Sequence, residues 1–351
     1  MRFHVGSYSR RSPWAAAPDG HGEGIALAEL SEESGALELV EFRFDDNPAY
    51  IDTDPRAARL WTVTELETGG ALHGYEVDAD GTLGRRTGVD TGADAPCHVT
   101  ADLVHDLAYV AHYQGARFSV LALDDGLPAS LVEVHEMPGV VAGVDRRDAR
   151  PRPHSSLVIG DHVLMADCGR DSLLLFRIHG RGADARLSLA AELALPERTG
   201  PRHLAAGRGG IVYVSNQNTP GISVIEVTVG ADPALRVVQL VASPGLGRAA
   251  ALTSEVAVHP TLPIVYLANR RDESLSVFDI VAEDGSLALR ESVDVLGAWP
   301  RHFRVTPDGG FLLVANQNSD EVVSFAVDER GGLSWTGHRL GIPTPTMIRY
   351  W

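Results

Sequence analysis

The chain has 351 residues, 44% of them apolar and 22% charged, which describes a globular protein with length enough for a large core. Its formal net charge of −17 repels nucleic acid and anionic membranes, so neither is an expected partner. All thirty basic residues are arginine, which excludes a phosphate-loop lysine, a Schiff-base lysine and a Ser–Lys dyad.

Only two cysteines occur, Cys97 and Cys168, and neither has a second ligand at zinc spacing. No disulfide scaffold, no thiolate-bound metal and no cofactor is therefore expected. Strand-like sequence begins at Phe3 and leaves no room for a leader peptide, and no run is long and apolar enough to span a bilayer. The cytoplasm is the expected location.

In chain order, the first predicted strand is FHVGSY (3–8), followed by GIALAEL (24–30). The first of these recurs as LWTVTE, AYVAHY, VLMADC, VYVSNQ, VYLANR and LLVANQ. The seven copies end at 8, 65, 113, 168, 217, 270 and 317, about fifty residues apart. The second recurs as LHGYEV, FSVLAL, LLLFRI, ISVIEV, LSVFDI and VVSFAV. A shorter strand precedes each copy of the first, starting at Pro48, Pro96, Pro153, Pro201, Thr253 and Pro300, with a last one at Pro345. β-branched and aromatic runs between Gly, Pro, Asp and Asn clusters read as antiparallel meanders. No helix of convincing length interrupts them, which excludes a TIM barrel. Seven repeats of four strands predict an all-β, seven-bladed β-propeller, one domain over residues 1–351. Its last blade is closed by the C-terminal strand joining the N-terminal three, which removes an open sheet edge.

The innermost strands start near one mouth of the channel. Behind each Pro position stand Ala49, Cys97, His154, Arg202, Ser254, Arg301 and Thr346. Then come Tyr50, His98, Ser155, His203, Glu255, His302 and Met347. Strand alternation lets only one of each pair face the channel. The ends of the following strands add Glu65, Tyr113, Gln217, Arg270 and Gln317. A ring that mixes Arg, His and Glu suits a small anionic ligand better than it suits channel capping alone. Asp167 and Asp171 are expected to satisfy turn backbone, and GHGEG (20–24) to be a loop. No GxSxG elbow and no HExxH occur.

HVGSYS, NPAYIDTDP, APCHVTAD, PRPHSSLVIGDHVLMADCGRDSLLLFRI, TGPRHL, VYLANRRDESLSVFDI and WPRHFRVTPDGGFLLVANQ together resemble the seven-bladed lactonase propellers. That family includes bacterial 6-phosphogluconolactonases and the fungal 3-carboxy-cis,cis-muconate lactonizing enzyme. The resemblance covers essentially the whole chain. It implies catalytic roles for His154, Arg202, Arg270 and the position of Gln217, where the family carries glutamate. It implies a hydrolase opening a sugar-acid lactone such as 6-phosphogluconolactone, with His154 as base and then acid. Arg202 and Arg270 would hold the oxyanion or anchor the anion. Glu65, His98, His203, Glu255, Arg301 and His302 are the expected substrate-binding residues, with Glu65 or Glu255 able to stand in for the missing glutamate. A lactonizing cycloisomerase and a non-catalytic propeller binding a small anion or a protein remain the alternatives.

Overall fold

A computed structural model of the chain describes residues 1–10 and 20–351. Apart from one two-residue hairpin, every strand among them belongs to one of seven four-stranded antiparallel sheets, and helix is confined to two short 3₁₀ turns. We number the blades from the first innermost strand, Pro48–Asp54. Those of blades 2 to 6 are Pro96–Asp102, Pro153–Ile159, Pro201–Ala206, Leu252–Val258 and Pro300–Val305. Blade 7 orders its strands as Leu37–Arg43, Ile25–Leu30, Arg2–Ser7 and Pro345–Tyr350. The innermost strands pack side by side, each against both neighbours, and so close a ring around the channel.

Closure follows the expected scheme. Phe3 pairs with Tyr350, His4 with Arg349 and Val5 with Ile348. Gly6 fits here because a Cβ on it would lie 2.2 Å from the Pro48 carbonyl oxygen of blade 1.

Each innermost strand is a sheet edge, so a leading proline costs no ladder hydrogen bond there. The residue before it turns the corner in the left-handed region at Asn47, Ala95, Gly200, Trp299 and Thr344. The strand at blade 5 starts at Leu252, one residue ahead of the template. Second strands such as Leu107–His112 are buried throughout because each blade is covered on both faces, whereas outermost strands such as Leu37–Arg43 alternate. The core therefore lies between blades: Tyr266 and Leu275 of blade 5, for example, share a cluster with Phe303 and Phe325 of blade 6. Asp167 caps the amides of Arg152, Gly169 and Arg170, and Asp171 those of Arg198 and Gly200, as expected of turn residues.

Candidate active site

One backbone feature decides how the channel is lined. In all seven blades the register between the innermost strand and its neighbour slips just after the Pro position. This is a β-bulge, in which an extra residue opposes one partner and side-chain alternation breaks. Alternation along the strand would let only one residue of each pair face the channel. The bulge turns both inward, at different depths, which corrects that expectation.

The first residue of each pair stands at the near mouth. His154, Arg202 and Arg301 project there from the innermost strands of blades 3, 4 and 6. Glu65, Gln217 and Arg270 meet them from the ends of the second strands of blades 1, 4 and 5. Together they line one cavity of ≈ 140 Å³. Arg270 Nη2 donates to Gln217 Oε1 at 2.9 Å and to the Thr253 carbonyl at 2.9 Å, and its guanidinium lies 5.4 Å over the Trp299 ring. A guanidinium only donates, so the Gln217 atom facing it is the amide oxygen, and Nε2 remains as a donor. That nitrogen lies 3.7 Å from the Cys168 sulfur, and the Gln217 amide also hydrogen-bonds the Tyr113 side chain, which lines the same cavity.

Arg301 is differently placed. Its Nη2 donates to the Tyr8 hydroxyl at 2.6 Å, which in turn donates to Glu65 Oε2 at 2.6 Å, and Glu65 Oε2 lies 3.7 Å from Arg301. Arg202 has no such partner. It is 2% exposed, and among the described residues its Nε and Nη1 have no hydrogen-bond partner. The carbonyl of Arg202 accepts from Ser155 Oγ at 2.6 Å, which ties its bulge to blade 3.

Charge excess shapes the site. Burial, then repulsion from Arg301, brings the Arg202 guanidinium down to about 10. Burial, then Arg202 and Arg301, lowers Arg270 well below the ordinary value. His154 is likewise held well below 6.5, first by burial and then by Arg202, so its imidazole is neutral at physiological pH. Its Nδ1 is buried and unpartnered. An anion entering the cavity would relieve all three.

His98, His203, Glu255 and His302 do not line this cavity; with Tyr50 they form the next level of the channel. His203 Nδ1 lies 2.5 Å from Glu255 Oε2, and its ring centroid is 5.1 Å from that of His154. His302 Nδ1 accepts from the Ile348 amide, which places its proton on Nε2, 3.3 Å from Glu255 Oε2. Of the expected binding residues, then, only Glu65 and Arg301 reach the mouth. Glu255 cannot replace the family's glutamate at the substrate, because it lies a level below and is held by His203.

The profile of the family described as seven-bladed β-propeller lactonases matches residues 2–350. The chain belongs to that family. It is 26% identical to a Bacillus subtilis 6-phosphogluconolactonase, over 99% of this chain and 97% of the relative. It is 24% identical to a Formosa agariphila 6-phosphogluconolactonase, over 93% of each. A solved periplasmic gluconolactonase from Pseudomonas aeruginosa superposes with a TM-score of 0.87 at 25% identity, covering 99% and 98% of the two chains.

Within the lactonase fold the sequence missed several residues of the site. Tyr8, which bridges Arg301 and Glu65, and Cys168, beside Gln217, occupy the template position of Glu65 and Gln217, so the repeat itself was the signal that could have found them. Leu252, Arg271 and Trp299 line the cavity as well, beside Cys97 and Tyr113, which the sequence had placed at the mouth. Trp299 and Arg271 have positive φ, which no residue-type pattern announced. Among the described residues no group of three His, Cys, Asp or Glu side chains could hold a metal ion, and no helix is long and apolar enough to cross a membrane.

Proposed function

We propose that the near mouth hydrolyses a sugar-acid lactone, with a phosphorylated lactone such as 6-phosphogluconolactone as the preferred substrate. The observation that carries this reading is the buried, half-unpaired Arg202 guanidinium in one cavity with a neutral His154. A buried cation without a partner is costly, and a developing oxyanion supplies the missing partner. The relatives' names support the lactone, and the arginine excess supports the phosphate.

In the reaction, His154 takes a proton from water as the oxygen attacks the lactone carbonyl carbon. Arg202 and Gln217 Nε2 donate to the carbonyl oxygen as it becomes negative. Collapse of the intermediate breaks the ring C–O bond, and His154 returns the proton to the departing alkoxide. Gln217 can neither accept nor release a proton, so it acts as a donor and leaves acid–base work to His154. Arg270 holds the Gln217 oxygen, and the exposed Arg271 at the rim meets the phosphate. The free, buried cysteines fit a reducing compartment, and we place the protein in the cytoplasm.

Proton release with 6-phosphogluconolactone and with plain sugar lactones tests the reading. The wild type should accelerate hydrolysis over buffer, and His154→Ala should lose roughly 10²–10⁴-fold, the usual contribution of a general base. No acceleration on any lactone would overturn it.

A further inference from the structure

The innermost strands end at a second opening, opposite the catalytic cavity. Four residues beyond the Pro position stand Arg304, Arg349, Asp52 and Thr100 on blades 6, 7, 1 and 2, and Leu157, Ala205 and Ala257 on blades 3 to 5. All of them line one cavity of ≈ 580 Å³, with exposed Pro260 and Pro307 at its rim. One half of the wall is charged and the other is apolar. The volume suits a small organic ligand.

The charges are not paired one to one. Arg349 Nη2 lies 3.1 Å from Asp52 Oδ1, and its Nε donates to the Ile51 carbonyl at 3.1 Å. The other Asp52 oxygen accepts from the Ala101 amide at 3.0 Å. Glu255, which also lines this cavity, lies against His203 and His302 and reaches neither guanidinium within 4.0 Å. Arg304 is left over. Among the described residues its guanidinium has no hydrogen bond and no carboxylate within 4.0 Å. Arg349 beside it, and then burial, bring Arg304 down to about 10. Two neighbouring guanidinium groups of which only Arg349 is paired repel each other, and an anion beside Arg304 would offset that repulsion.

We infer that the far mouth binds a small organic oxyanion, a carboxylate or a phosphate, whose charge meets Arg304 and whose apolar body lies on Leu157, Ala205 and Ala257. The packed level of Tyr50, His98, His203, Glu255 and His302 separates it from the catalytic cavity. The two sites are therefore distinct, and this one stands whether or not the near mouth hydrolyses lactones.

Calorimetric titration with inorganic phosphate and with butyrate tests it on the wild type, Arg304→Gln and Arg202→Ala. The wild type and Arg202→Ala should bind one of these probes at the far mouth. Arg304→Gln should weaken that binding at least ten-fold, with lactone turnover unchanged and the melting temperature unchanged or raised. Butyrate without phosphate would assign the site to carboxylates, and the reverse to phosphates. Equal binding by Arg304→Gln and the wild type would overturn the proposal. So would loss of all binding in Arg202→Ala alone, or a melting temperature several degrees lower in Arg304→Gln, which would mark Arg304 as structural.

Discussion

Arg202 and Arg301 occupy the same position of the Pro-Arg-His cluster in blades 4 and 6, yet their surroundings give them opposite duties. Arg301 is tied through Tyr8 to Glu65, a carboxylate with 0% exposure. Its removal leaves a buried acid short of its cation, so Arg301→Ala should destabilise the fold by on the order of 2 kcal/mol. Among the described residues Arg202 has no carboxylate within 4.0 Å, and it is repelled by Arg301. Arg202→Met, of similar reach and without charge, should leave stability unchanged or raise it. Urea unfolding of the two variants reads both effects; equal losses would mean that the two clusters are only a repeated corner. Gln217, where the resemblance implies glutamate, has a comparable logic. The acceptor that Arg270 needs is kept, and the amide brings a donor in place of a charge.

At the scale of the strand, what was legible depended on which atoms carried the information. Proline, glycine and apolar periodicity announced the strands and the blade count, because side chains cause those features. The bulge is a property of backbone register. At its position stand Ala49, Cys97, His154, Arg202, Ser254, Arg301 and Thr346, which share no chemistry, so no residue type marked it. For that reason the sequence found the inward-facing candidates but merged two depths into one ring. His98, His203, Glu255 and His302 consequently looked like mouth residues. The closing strand was legible, since PTMIRYW had to pair with something. It buries Met347, Ile348 and Tyr350 and supplies Arg349. Deleting residues 345–351 should expose the edge of Arg2–Ser7 and lower the melting temperature sharply; a truncated protein that melts like the full chain would refute ring closure by this strand.

Over the whole molecule, an acidic surface encloses a channel of buried imidazoles and guanidinium groups. His4 and His112 are held down to about 4, and His98, His154, His203 and His302 well below 6.5, in each case chiefly by burial. As pH falls through 6.5 the unfolded chain takes up these protons while the folded one does not. Their contribution is thus intact above 6.5 and lost as pH falls toward 4, at up to about 1.4 kcal/mol per unit for each group. Asp167 opposes them, because burial raises it to about 6 and the folded state gains its proton first. Glu273, raised by burial, opposes them too, but six groups outweigh two, so unfolding free energy should drop between pH 7 and pH 5; a flat or rising profile would contradict the buried, neutral imidazoles.

The same channel has cationic groups at both ends, and only one end is assigned to chemistry. The most direct test compares kcat/KM on 6-phosphogluconolactone for the wild type, Arg202→Ala at the near mouth and Arg304→Ala at the far mouth. A charge-assisted hydrogen bond to an oxyanion contributes about 1.5–3 kcal/mol, so Arg202→Ala should lose roughly ten- to a hundred-fold. Arg304→Ala should retain wild-type turnover. Equal losses in the two variants, or full activity without Arg202, would contradict a catalytic near mouth.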